Sequence, residues 1–228
     1  MPIISQLVLD GRHREVARLL GDSYALHCFV YRAFPAKEDG GAGRVLYRAD
    51  FNQRDASVNL IVQSDCMPNW SYASRIASRI DGPKEWTPSI ASGSLLRFRL
   101  RATPTKRIAL SRDDPQRGNR REGLLQRDQQ IKWLTDRAAS HGFEIAAVED
   151  EFQGCDDDQR PQAPLDLRVT PLGLMTGRKA SGQLLSWTAA EYEGVLRVLD
   201  SALFEAAISN GIGPAKGFGF GLLSLRRV

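Results

Sequence analysis

Tyr24 and His27 stand three residues apart in the segment SYALHCFVYRAF. Between them they can move two protons. An imidazole ionises near neutrality, at ~6.5 when unperturbed, so it can take or give a proton at working pH. A phenol, at ~10, is mainly a donor. On a helix, positions three apart share a face. Leu26, Phe29, Val30 and Ala33 make an apolar stripe, and Tyr24, His27 and, a turn further on, Tyr31 fall on the opposite side. Such a pair suits internal transesterification of a ribose phosphate. One group takes the proton of the 2′-OH, the other donates to the leaving 5′-oxygen, and a cationic neighbour stabilises the phosphorane. No metal is needed. The same residues also fit an exposed helix face without chemistry, and the spacing alone leaves both readings open.

A second candidate is GIGPAKGFGFGLLSL, Gly211–Leu225, with five glycines in eleven positions. A dinucleotide loop leaves a strand and opens a helix, whereas this stretch follows a helix and enters a strand. The third glycine of a GxGxxG pattern is replaced by Lys216, and a P-loop would need Ser or Thr after that lysine, where Gly217 stands. Two readings remain. Glycine amides and Lys216 can approach an RNA backbone closely, or the loop is a tight helix-to-strand connection.

The elements that must position these residues read as follows. IISQLVL is a buried strand, and helical patterns follow Gly11 and then Asp22 or Ser23, the second ended by Pro35. RVLYRADF and ASVNLIVQS are strands, NWSYASRIAS a short helix, and GPKEWTPSIASG a turn-rich joint near Ala91. SLLRFRLRA alternates as a strand. A helix follows over REGLLQRDQQIKWLTDRAASHGF, with Leu124, Ile131, Leu134 and Ala138 on one side, and FEIAAVEDEF is a strand. The segment 165–198 holds two or three strands, with turns at TGRKASG and around Ala189–Ala190. Asp200 caps a last helix with Leu203, Phe204, Ala207 and Ile208 inward, and FGLLSL ends the chain as a strand. Each half therefore follows the order strand, helix, two strands, helix, strand. The expected fold is α+β: two tandem ferredoxin-like (split βαβ) domains, 1–90 and 91–228, each sheet with helices on one face and the other face available.

The composition is that of an ordinary globular chain, 42% apolar and 25% charged over 228 residues. No apolar run approaches a membrane span, and the N-terminus does not read as a signal peptide. Cys28, Cys66 and Cys155 are odd in number and far apart, which argues against a disulfide framework and for a reducing cytoplasm. His13, His27 and His141 are equally scattered, so a metal site is not expected. The net charge is only +4, but Arg97–Arg137 holds twelve basic residues against five acidic ones, and Glu144–Asp158 holds seven acids and no base. Concentrated positive charge points to a polyanionic partner.

SYALHCFVYRAFP, VQSDCMPNW, LRFRLRATPTKR, WLTDRAASHGFEI and YEGVLRVLDSALFEAAISNGIGPAKGFGFGLLSL, in this order, resemble the CasE family over nearly the whole chain. These are the endoribonucleases of type I-E Cascade, in the repeat-associated mysterious protein superfamily. The resemblance implies binding of the CRISPR repeat stem-loop in precursor RNA. It also implies metal-free cutting at the 3′ base of the stem, 2′,3′-cyclic phosphate and 5′-OH ends, and retention of the mature RNA as one Cascade subunit among others. Neither a cofactor nor a membrane enters. It assigns the catalytic pair to Tyr24 and His27, with Arg32 as a candidate stabiliser of the phosphorane. Lys106 and Arg107 are candidate phosphate contacts, and Arg178 and Lys179 sit at a hairpin tip that resembles the family's basic hairpin. Arg120, Arg121 and Arg127, at a helix start, are candidates to track the RNA backbone, and Gly213, Lys216 and Gly217 to position it. The alternative is a non-catalytic RNA-binding scaffold subunit, since this fold often binds RNA without cutting it.

Overall fold

The computed structural model describes residues 2–108, 121–148 and 164–228. In the N-terminal half, Leu7 and Leu9 of β1 (Ile3–Asp10) alternate with half-exposed residues and pack with Val45 and Tyr47 of β2 (Val45–Asn52) and with Leu60 and Val62 of β3 (Ser57–Ser64). Two short helices, α1 (Arg14–Gly21) and α2 (Ser23–Tyr31), lay Val16, Leu19, Phe29 and Val30 over this face. The expected second helix is a single 3-10 turn, Ser71–Arg75. β4 (Ala77–Glu85) then pairs with β1, giving the antiparallel order β2-β3-β1-β4. The sequence hid β4 behind Gly82 and Pro83. As an edge strand it buries no alternating face and tolerates a proline that cannot donate to a ladder.

The C-terminal half repeats this order. β5 (Leu95–Ala102), β8 (Phe143–Ile145), β10 (Leu184–Val198) and β11 (Leu223–Arg227) form the antiparallel path β11-β5-β10-β8. Helices α3 (Arg127–Ala138) and α4 (Ser201–Asn210) cover it through Trp133, Leu134, Phe204 and Ile208. Both halves are ferredoxin-like, so the chain is an α+β protein of two such modules in tandem.

Four further expectations change. The helix expected from Arg121 begins at Arg127, because residues 121–123 form β7 (Arg121–Gly123), paired with β6 (Thr105–Arg107) in a separate two-stranded ribbon. Leu203 lies outside the core, 47% exposed. The turn expected at Ala189–Ala190 is a bulge. β10 runs straight through, and its register on β9 (Leu167–Arg178) shifts between those two residues. β10 thus pairs with β8 through 196–198 and with β9 through 184–194, so its far end projects as a two-stranded arm.

The fourth change concerns the sheet faces turned away from the helices, which were expected to be available. On β2, Leu46 abuts Gly211, and Arg48, only 3% exposed, reaches Ser224 Oγ at 2.9 Å. Arg101 donates to Ala49 O at 2.9 Å and pairs with both Asp50 and Glu191 at 3.1 Å, while Arg99 meets Glu191 at 2.7 Å. Arg99 and Arg101, two charges of the basic segment, are therefore spent on the contact between the halves. Burial pushes the Glu191 carboxyl up, and Arg99 and Arg101 outweigh it, holding it below the usual carboxylate range. Among the described residues no helix is long and apolar enough to cross a membrane, and Cys28 and Cys66 are free thiols.

Candidate active site

The site begins with a helix cap. Asp22 Oδ1 accepts from the backbone N–H of Tyr24 at 2.8 Å and of Ala25 at 3.1 Å, which starts α2 and orients its first turn. The same carboxylate accepts from Arg178 N at 3.2 Å, tying α2 to the end of the arm. Gly177 makes this approach feasible. A Cβ there would lie 2.6 Å from Tyr24 N and 3.0 Å from Tyr24 Cβ, so only hydrogen fits.

On the next turn, His27 Nδ1 lies 2.7 Å from the carbonyl oxygen of Gly217 in the glycine loop. A carbonyl only accepts, so Nδ1 carries a proton and donates it. In the neutral ring this leaves the Nε2 lone pair free to take a proton. Tyr47 OH donates to the same oxygen at 3.0 Å, which holds the loop to β2 as well as to α2. The imidazole is enclosed by aromatic rings: Tyr31 at 4.3 Å, Phe218 at 5.1 Å and Tyr24 at 5.7 Å between centroids. The Cys28 thiol, with desolvation adding to it, holds the Tyr24 phenol above its ordinary range, so it remains a proton donor at neutral pH. One acceptor and one donor are thus side by side, the complement general acid–base chemistry requires.

Cations approach from two sides. Arg32 ends α2, its guanidinium 4.6 Å from the Tyr72 ring centroid, and shares a cleft of about 340 Å³ with Tyr24, Cys28 and Arg178. It is therefore brought to Tyr24, and His27 does not line that cleft. On the loop side, burial and the repulsion of Arg44 hold Lys216 below its ordinary range, while burial raises the Tyr31 phenol against the pull of the same Arg44. Neither Arg44 nor Lys216 forms a side-chain ion pair among the described residues, although the Asp65 carboxylate accepts from the Arg44 backbone N–H at 2.7 Å. Nothing in the sequence singles out Arg44, a lone cation after a glycine-rich loop; only the fold sets it beside Lys216.

The remaining candidates disperse. Arg107 and Arg121 face each other across the β6–β7 ribbon, with no carboxylate paired to either among the described residues. Lys106 is already bound to Glu122 at 3.2 Å. Lys179, in the turn of the arm, donates to Gln183 Oε1 at 2.9 Å. Arg127 is exposed on the first turn of α3, and Arg120 lies outside the described residues. Gly213, at φ +89°, rests against Trp133, so its glycine serves packing. Among the described residues no cluster of three metal-ligating side chains occurs.

Comparison with known proteins finds relatives along nearly the whole chain. The chain is 29% identical over 222 residues to the CRISPR-associated endoribonuclease Cse3 of Thermus thermophilus, covering 97% of this chain and 98% of that one. It is 29% identical over 211 residues to the Cascade subunit CasE of Escherichia coli, covering 90% and 92%. The structure of Thermus thermophilus Cse3 bound to an RNA representing a pre-cleavage complex superposes with a TM-score of 0.77 at 27% identity, covering 99% and 98%. The CRISPR-associated protein family model matches residues 4–227, and the chain belongs to that family.

Proposed function

We propose that this protein is the endoribonuclease that processes precursor CRISPR RNA. In this reading it binds a repeat stem-loop, cuts it by attack of a ribose 2′-OH, and stays on the product as a Cascade subunit, in the cytoplasm. The observation that carries the chemistry is the hydrogen bond from His27 Nδ1 to Gly217 O, 2.7 Å, which leaves Nε2 as a base beside a phenol that keeps its proton. His27 Nε2 takes the proton of the 2′-OH as that oxygen bonds to phosphorus. Tyr24 protonates the 5′-oxygen as the P–O5′ bond breaks. The products are a 2′,3′-cyclic phosphate and a 5′-OH. In this reading Lys216 and Arg44 on one side, and Arg32 and Arg178 on the other, offset the charge of the phosphorane. The resemblance to Cse3 and CasE supplies the substrate class.

The test is a repeat RNA with a single 2′-deoxy substitution at the nucleotide preceding the cut. The all-ribose RNA should be cut in EDTA at an unchanged rate, and the deoxy RNA bound but left intact. Cutting of the deoxy RNA at a normal rate would refute the mechanism. Binding of both RNAs with cleavage of neither would identify a scaffold instead.

A further inference from the structure

Beyond the catalytic pair lies a second cleft, of about 460 Å³, between the β6–β7 ribbon, the β9–β10 arm and the glycine loop. One wall is aromatic. Trp187 tilts onto Phe218 at 4.5 Å and 33°, and Phe218 is the ring that touches His27 at 5.1 Å. The other walls carry the hydroxyls of Thr105, Ser186 and Thr188, none of which forms a hydrogen bond within the described protein. Arg121 stands at the rim, opposite Arg107 on the ribbon. Like charges set directly across a ribbon destabilise it unless an anion lies between them.

An aromatic wall, free hydroxyls and an uncompensated cation pair match the three parts of a nucleotide. The base stacks, its edge exchanges hydrogen bonds, and its phosphate is neutralised. A base inside a duplex has both faces covered, so the cleft suits an unpaired one. We propose that this cleft is a subsite for the unpaired nucleotide on the 3′ side of the scissile phosphate. Its base lies against Trp187 and Phe218, and its 3′ phosphate lies toward Arg121 and Arg107. The assignment of the 3′ side rests on the endoribonuclease reading above, in which the stem ends at the cut. Through Phe218 the subsite touches His27, so filling it would also hold the catalytic ring in place.

The experiment uses the full chain and repeat RNAs altered at that nucleotide alone. An abasic residue there should slow single-turnover cleavage by wild-type protein about tenfold or more, the usual loss of one stacked base. In Trp187→Leu the same alteration should cost less than about threefold, because the stacking partner is already gone. With a 2′-deoxy block at the cut, 2-aminopurine at that nucleotide should be quenched on binding wild-type protein and not on binding Trp187→Leu. Full-rate cleavage of the abasic RNA, or unquenched 2-aminopurine in the bound complex, overturns the subsite while leaving the endoribonuclease reading intact. If no RNA is cut, that reading falls, and the 2-aminopurine signal still decides whether the cleft holds a base. Should Trp187→Leu not fold, the wild-type measurements alone decide.

Discussion

Gly177 and Gly217 both border α2, and alanine at each has an opposite expected result. At Gly177 the added methyl would stand 2.6 Å from Tyr24 N and 3.3 Å from Asp22 Oδ1. Those are backbone and cap atoms that cannot rotate aside, so the arm must move off α2. Overpacking of this kind costs about 1–3 kcal/mol. For a chain of this size that lowers Tm by about 2–12 °C. The cut rate should fall further than the stability suggests. The arm carries Arg178 in the cleft beside Tyr24, so its displacement moves a charge at the site, and a misplacement of about 1 Å costs on the order of a hundredfold. At Gly217 the new methyl would meet nothing closer than Tyr31 OH at 3.5 Å, and no positive φ stands in the way. Gly217→Ala should keep its carbonyl on His27 and stay within about 0.5 kcal/mol and a few-fold of wild type. Thermal melts and single-turnover cleavage at saturating protein measure both variants. A Gly177→Ala protein as stable and as fast as wild type, or a Gly217→Ala protein worse than it, would refute the close-packing argument.

His27→Ala should cut about 10²–10⁴-fold more slowly, yet bind repeat RNA within a few-fold by filter binding. Its carbonyl partner keeps the Tyr47 hydroxyl, so the melt should shift little. Glu191→Gln should cost about 2 kcal/mol at neutral pH, since Arg99 and Arg101 lose their shared carboxylate and keep only Asp50, with Glu193 beside Arg99. The folded Glu191 pKa is depressed, so its contribution is full above the unfolded carboxylate range and is lost as pH falls through the folded value. The gap between wild type and variant in urea melts should therefore close under acid. Arg107→Ala and Arg121→Ala should each weaken RNA binding and reduce the slope of log K against log salt by about one, as loss of one phosphate contact predicts. An unchanged slope would remove both from the RNA path.

The sequence by itself determined most of the ferredoxin-like order, short of the last strand of the first half, and the face of α2 that carries Tyr24 and His27. Both follow from local rules: a period of two in the strands, a period near 3.6 on α2, and an Asp cap. It also showed that the glycine stretch runs from helix to strand, which excluded a nucleotide loop. It did not reveal β4, an edge strand without an alternating buried face, or the bulge at Ala189–Ala190, which short alanines disguise as a turn. The charge run misled for a related reason. Arg99 and Arg101 count toward a basic segment, but their partners Asp50 and Glu191 are distant in the chain and adjacent only in space. What only the tertiary structure decided is which atoms meet. The glycine loop reaches α2 from 190 residues away and sets a carbonyl on His27, which fixes the proton on Nδ1. Arg44 joins Lys216 there, and Phe218 and Trp187 line the neighbouring cleft. Contacts between distant parts of a chain leave no periodic trace in it, because each depends on the packing of every element between.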